Sequence, residues 1–220
     1  MRIGGLQKCS LIDYPGKVAC VIFTQGCNFR CPYCHNRELV LPKYFGDTIP
    51  QDDVINFLER RQQYLEGVVI TGGEPTYQAN LLDLLKQIKR MGYSLKLDTN
   101  GSRPDVLQEI IACGLVDYIA MDIKTSFEKY SKATGVRLSV ERIKESIALI
   151  RGANVKYEFR TTVVRPFCEF EDIHKIVVEL GGKQAYKLQP FKATEKIINP
   201  NIHSIDQFNE HEIESWKVKI

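Results

Sequence analysis

Apolar residues along the chain switch repeatedly between a continuous run and a helical spacing, and that switching sets the expected architecture. Val18–Phe23 is an unbroken apolar run of the kind a strand buried on both faces shows. Val54, Ile55, Phe57 and Leu58 then form one stripe of a helix that Pro50 can open. Val68–Thr71 is the second predicted strand, followed by Leu81, Leu82, Leu84, Leu85, Ile88 and Met91 at helical spacing with Gly92 suited to the C-terminal cap. Leu95–Thr99 is a third strand, and Pro104 opens a helix carrying Val106, Leu107, Ile110 and Ile111. Tyr118–Ile123 is a fourth strand. The pattern weakens over Thr125–Leu138, which reads as a loop with a short helix. It returns with Val140, Ile143, Ile147 and Ile150 on a helix, a fifth strand over Lys156–Val164, Ile173, Ile176, Val177 and Leu180 on a helix, and a sixth strand over Ala185–Phe191. Ile205, Phe208, Ile213 and Trp216 mark an imperfect terminal helix.

Strand and helix in alternation predict a parallel sheet flanked by helices. A closed eight-unit barrel takes about 250 residues, or about 31 per unit, so 220 residues less a leader fit an open, partial barrel better. The expected fold class is therefore α/β, an open partial (β/α)6 barrel. One domain is expected over 1–220: a leader 1–16, six strand-helix units over 17–191, and a C-terminal segment with its helix over 192–220. Active sites of such barrels lie at the C-terminal ends of the strands. There the first strand delivers Cys27, Cys31 and Cys34, the second Gly72, Gly73 and Glu74, and the third Asp98, Thr99 and Asn100. The fourth delivers Asp122 and Lys124, the fifth carries Arg160 and the sixth Gln189.

The cysteines decide which chemistry to expect. Cys27, Cys31 and Cys34 fall within eight residues of the stretch Gln25–Asn36, and thiolate suits iron-sulfur clusters, zinc or copper(I). Three cysteines can hold three irons of a four-iron cluster and leave the fourth without a protein ligand, open to a substrate. Cys31-Pro-Tyr-Cys34 alone has the spacing of a glutaredoxin dithiol, and with His35 that of c-type haem attachment, but neither accounts for Cys27. A structural zinc site using His35 stays open as an alternative. Thr71-Gly72-Gly73-Glu74-Pro75 reads alone as a tight turn, or as a place where bare backbone approaches a ligand and Glu74 accepts from an ammonium. Cys9, Cys20, Cys113 and Cys168 lack the spacing of a ligand cluster.

The Cys-x3-Cys-x2-Cys loop resembles that of radical S-adenosylmethionine (SAM) enzymes, and its surroundings resemble their glycyl-radical-activating branch. Ile12–Lys17 together with Phe23–Asn36 looks most like the activating proteins of anaerobic ribonucleoside-triphosphate reductases. The resemblance implies a [4Fe-4S] cluster on Cys27, Cys31 and Cys34, with SAM contacts from Tyr33, His35, Gly72, Gly73, Glu74, Asp98, Asp122, Lys124 and Arg160. Some such enzymes also hold a monovalent cation beside the aspartates. The implied partners are a glycyl radical enzyme and an electron donor such as flavodoxin or ferredoxin. Asp13-Tyr14-Pro15-Gly16 departs from the Asp-Gly-Pro-Gly of pyruvate formate-lyase activating enzymes, and Lys192 stands where those carry a histidine. A small-molecule enzyme such as a 7-carboxy-7-deazaguanine synthase shares cluster and fold, but tends to show Asp-Thr where this chain has His35-Asn36. A plain iron-sulfur electron carrier would have no need of Gly72–Glu74. The loop Thr125–Leu138 is a candidate docking surface for the partner.

Composition adds exclusions rather than functions. Thirty basic against 27 acidic residues give a formal net charge of +3, too little to point to nucleic acid or an anionic membrane. No window reaches the ~18 consecutive apolar residues of a membrane span, and Met1–Gly5 is not followed by a signal-peptide core. A cytoplasmic location is expected.

Overall fold

The computed structural model describes residues 1–219. Its elements run β1 (Ile3–Ser10), β2 (Ala19–Thr24), α1 (Arg37–Val40), α2 (Gln51–Glu59), β3 (Gly67–Gly72), α3 (Leu81–Arg90), β4 (Ser94–Thr99) and α4 (Pro104–Ala112). They continue with β5 (Tyr118–Asp122), α5 (Tyr130–Thr134), α6 (Val140–Gly152), β6 (Lys156–Val163), α7 (Phe170–Glu179), β7 (Tyr186–Pro190) and α8 (Glu210–Lys219). The strands form one sheet in the order β1 to β7; β2 to β7 are parallel and β1 is antiparallel to β2. β1 and β7 are its two edges, so the barrel is open.

The six parallel strands are those the apolar runs predict, shifted by a residue or so at the ends. Two regions differ. The first sixteen residues, read as a leader, contain β1, a full edge strand paired from Ile3 with Thr24 to Ser10 with Ala19. At the other end Ile205 and Phe208 precede α8, and a 3-10 turn over Pro200–Ser204 takes up part of the segment. No helix among the described residues is long and apolar enough to cross a membrane.

Side chains alternate across each strand. Leu95 and Leu97 of β4, Ile119 and Met121 of β5 and Phe159 of β6 pack outward against the helices in the main core, with Leu84, Leu107, Ile110, Ile143, Ile147 and Ile173. Inside the barrel a smaller cluster of Tyr14, Ala19, Val21 and Val69 fills the lower end. Tyr14 lies edge-on to Tyr118 at 6.0 Å, and a Cβ at Gly67 would sit 2.9 Å from the Tyr14 ring. The Asp13–Lys17 stretch thus closes the barrel's N-terminal end. Above this plug the inner face becomes charged, with Lys96 and Asp98 on β4, Asp122 on β5, and Glu158 and Arg160 on β6.

Candidate active site

The cysteine loop leaves β2 at Thr24 and is held on four sides by backbone hydrogen bonds. From β3, Gly73 N donates to Thr24 O at 2.8 Å and Glu74 N to Gly26 O at 2.8 Å. This contact needs both glycines: a Cβ would lie 2.5 Å from Thr24 N at Gly72, whose φ is +105°, and 2.1 Å from Gly26 O at Gly73. The bare backbone here lets two loops of the chain touch. From α1, Leu39 O accepts from Gly26 N at 2.7 Å. From α5, Thr134 O accepts from Arg30 N at 2.8 Å. From the C-terminal segment, Asn199 N donates to Pro32 O at 2.8 Å and Ile198 N to Cys34 O at 3.2 Å.

Thr125–Leu138 therefore has a structural task on its inner side. Thr125, Ser126, Tyr130, Ala133 and Thr134 are buried, and the segment braces the cysteine loop, leaving Lys132 and Arg137 among its exposed residues.

One cavity of about 270 Å³ opens at the C-terminal ends of β2 to β7. Its lining includes Cys27, Cys31, Tyr33, Cys34, His35, Gly72, Gly73, Glu74, Asp98, Asp122, Lys124 and Arg160, all twelve residues expected from the sequence. It also includes Phe29, Asn100, Thr162 and Gln189. Phe29 and Thr162 carried no signal in the sequence beyond their position in the cluster loop and near the end of β6. A second cavity is more apolar and lies among α6, α7 and Phe127, away from these residues.

Glu74 is only 1% exposed, and its carboxylate is surrounded by donors. Oε1 accepts from Thr76 N at 3.1 Å, Thr76 Oγ1 at 2.5 Å and Thr99 Oγ1 at 2.7 Å, while Oε2 accepts from Asn100 N at 2.7 Å. Burial pushes its carboxyl up, and these donors pull against that shift. The side chain thus ties the turn after β3 to the end of β4.

The charged residues form an alternating row. Lys96 Nζ lies 2.6 Å from Asp98, Arg160 reaches Asp98 at 3.4 Å and Asp122 at 2.9 Å, and Lys124 Nζ lies 3.0 Å from Asp122. Burial alone would raise the Asp122 carboxyl, but Arg160 and Lys124 overcome it and hold the group well below the usual carboxylate range. Burial would lower Lys124, and Asp122 more than offsets that, so the ammonium holds its proton firmly. Arg160 is thus committed to Asp98 and Asp122, with Glu158 at 3.9 Å as a third carboxylate, a pairing the sequence could not show. With three cations around two aspartates, a monovalent cation there would have to compete with side chains already in place.

The Tyr33 hydroxyl is buried with no hydrogen-bond partner, an orphan at the wall of the cavity. His35 stacks on Phe191 at 5.1 Å, and its Nε2 hydrogen-bonds Lys192 O at 2.6 Å, which fixes the ring beside the cysteines.

A family model for the radical SAM superfamily matches residues 21–178. The chain belongs to that superfamily. A Methanocaldococcus jannaschii protein named as a glycyl-radical enzyme activating enzyme is 36% identical over 195 residues, covering 86% of this chain and 80% of its own length. The pyruvate formate-lyase 1-activating enzyme of Escherichia coli is 28% identical over 203 residues, with the same two shares of 86% and 80%. Among solved structures, Streptococcus suis SuiB bound to the precursor peptide SuiA matches with a TM-score of 0.70 at 14% identity, over 90% of this chain and 44% of SuiB. TYW1 with a lysine-pyruvate adduct matches with a TM-score of 0.66 at 16% identity, over 91% and 72%. At such identities the likeness is one of fold.

Membership in the radical SAM superfamily implies a [4Fe-4S] cluster and SAM, and the residues present fit them. Burial pushes the Cys27 thiol up to about 12 and the Cys31 thiol up to about 11, so without a metal's charge both keep their protons. Phe29 N already donates to Cys27 Sγ at 3.3 Å, and Lys124 pulls the Cys31 and Cys34 thiols down. Among the described residues no three His, Cys, Asp or Glu converge on one ion. Thiolates around a cluster each serve a different iron, so three cysteines suit three irons of four. The radical SAM chain therefore has the cysteine set of a cluster and a cavity beside it.

Proposed function

We propose that this radical SAM enzyme is an activase that generates a glycyl radical on anaerobic ribonucleoside-triphosphate reductase. The observation that carries the reading is the convergence of Cys27, Cys31 and Cys34 with nine further expected residues on one cavity, in a chain whose relatives are named as glycyl-radical activating enzymes. The Ile12–Lys17 and Phe23–Asn36 stretches support the choice of reductase over pyruvate formate-lyase.

When bound, the cluster supplies one electron for cleavage of SAM to methionine and a 5′-deoxyadenosyl radical, which can take a hydrogen atom from a glycine Cα and leave as 5′-deoxyadenosine. The chain's own part is binding, orientation and exclusion of water. Cys27, Cys31 and Cys34 would hold the cluster, three thiolates for a group of four irons. Lys124, with two of its three protons not committed to Asp122, is placed to meet the methionyl carboxylate. Asp122, held ionised by Arg160 and Lys124, and Asp98 beside it accept from ammonium or ribose hydroxyl groups, and the Tyr33 hydroxyl has a free valence for the same ligand. The partner's glycine segment enters through the open side of the barrel, and a flavodoxin or ferredoxin supplies the electron.

The enzymatic half is tested by anaerobic reconstitution, reduction and product analysis. The reading expects about four irons per chain and SAM cleaved to 5′-deoxyadenosine and methionine. A protein that reconstitutes with zinc, or that holds the cluster and leaves SAM intact, contradicts it.

A further inference from the structure

A third cavity, of about 530 Å³, shares Cys27 and Val40 with the candidate active site but approaches Cys27 from the β1 side. Its walls come from Arg2, Gln25, Gly26, Arg30, the loop of Pro42 and Phe45, and the turn at Tyr77 and Gln78. The charged side chains lining it are Arg2 and Arg30, with no carboxylate, in contrast to the mixed charges of the first cavity. Arg30 Nη1 donates to Cys27 O at 2.6 Å, which links this surface to the cluster loop directly.

The rim continues the pattern. Arg2 lies over the Phe45 ring at 4.9 Å, and Arg37 and Lys43 lie over the Tyr44 ring at 5.1 Å and 4.7 Å. None of Arg2, Arg30, Arg37 and Lys43 forms a salt bridge among the described residues; Arg37 acts only at longer range on its neighbour Glu38. Glu38, on α1, is already paired with Lys196 at 2.9 Å, which leaves Asp47 as the unpaired carboxylate of the loop. Tyr44 and Tyr77 are exposed by 42% and 55%. Cations without a salt bridge, two of them over the exposed Tyr44 ring, make a surface for a negatively charged protein face.

We propose that this surface docks an acidic one-electron carrier protein, and that the electron for SAM cleavage enters beside Cys27 from there. The proposal rests on the activase reading, which requires one electron per SAM cleaved. In the transfer the carrier is oxidised by one electron and the cluster is reduced by one, with no bond made or broken. Entry from this side leaves the first cavity free for SAM and the partner's glycine.

The test uses the reconstituted full chain and a flavodoxin as the acidic probe, with Lys43→Glu and the double variant Arg2→Glu/Lys43→Glu. Lys43 is exposed and touches only a ring, so its single variant keeps the experiment sound if the double variant folds poorly. Flavodoxin affinity, and the rate at which reduced flavodoxin bleaches the cluster absorbance, are expected to fall roughly tenfold at low salt, with the gap closing as salt screens the charges. Reduction by titanium(III) citrate should stay at the wild-type rate. Unchanged flavodoxin binding and reduction in the variants overturns the docking surface while leaving the activase reading intact. A loss of glycyl radical formation with titanium(III) citrate, at normal flavodoxin binding, overturns it in favour of a surface for the radical partner. Wild-type protein that titanium(III) citrate reduces without cleaving SAM contradicts the activase reading, and this proposal falls with it.

Discussion

Asn100 donates its backbone N–H to Glu74 Oε2 at 2.7 Å, so the end of β4 hangs on a buried carboxylate from the turn after β3. Replacing Glu74 with Ala strands the N–H groups of Asn100 and Thr76 in a buried site. Stability is expected to fall by about 2 to 4 kcal/mol in urea denaturation, since an unmet buried donor costs roughly 1 to 3 kcal/mol. SAM affinity should fall with it while the cysteines still take up iron. A Glu74→Ala protein as stable as the wild type would show that the carboxylate is no clamp.

Gly135, at the end of α5, has φ of +68°, and a Cβ there would sit 2.3 Å from Arg30 O in the cysteine loop. Gly135→Ala is expected to cost about 2 to 3 kcal/mol and to lower iron retention, because the contact is with backbone that cannot step aside. Gly92→Ala is the control: φ is +88° with nothing within 4 Å of the new Cβ, so only about 1 kcal/mol of backbone strain is expected, with normal iron. Equal effects from the two substitutions would contradict the brace.

Arg160→Gln leaves Asp98 on β4 and Asp122 on the neighbouring β5 without their shared cation. A cost of about 2 to 3 kcal/mol at neutral pH is expected, less than for a fully buried pair because Asp122 is 34% exposed. The pH dependence has a definite sign. Asp122 is depressed in the folded wild type, so its contribution is present above the unfolded carboxylate pKa of about 3.9 and is lost as pH falls towards the folded value. The gap between variant and wild type, measured on iron-free protein, should therefore be widest near pH 7 and narrow below about pH 4. A gap that widens on acidification would contradict the ion-pair assignment.

Cysteine labelling separates the thiols. Cys9 and Cys113 are exposed, while burial pushes Cys20 and Cys168 up to about 12. In cluster-loaded protein at pH 8, iodoacetamide should modify Cys9 and Cys113 and leave the other five untouched, as peptide mass spectrometry would show. Rapid labelling of Cys20 or Cys168 would mean that the core around them opens.

The parallel strands were legible because β2, β3 and β5 are short apolar runs bounded by turns and β4 alternates Leu95 and Leu97 with polar residues, and their C-terminal ends gather the site whatever the family. β1 was not. Gly4 and Gly5 dilute its pattern, and Gln7, Lys8 and Cys9 face solvent on an edge strand, so neither a continuous run nor a clean alternation appears. Ile205 and Phe208 share an apolar spacing with Ile213 yet precede α8, since buried irregular chain needs apolar residues as much as a helix does. Within the site, residue types and strand positions were readable, but commitments were not. Nothing in Asp98, Asp122 and Arg160 as letters says that they neutralise one another across 62 and 38 positions of sequence. Glu74 looked like an acceptor for a ligand, and its four donors come from Thr76, Thr99 and Asn100.

The activase reading is tested most directly by electron paramagnetic resonance of the reduced, reconstituted protein mixed anaerobically with SAM and an anaerobic ribonucleotide reductase whose glycines carry deuterium at Cα. With unlabelled reductase the account predicts a glycyl doublet, split by the remaining Cα hydrogen, that requires Cys27, Cys31 and Cys34. With the deuterated reductase it predicts collapse to a single line and deuterium in the 5′-deoxyadenosine. SAM cleavage without any glycyl signal, and without deuterium in the product, would contradict the account.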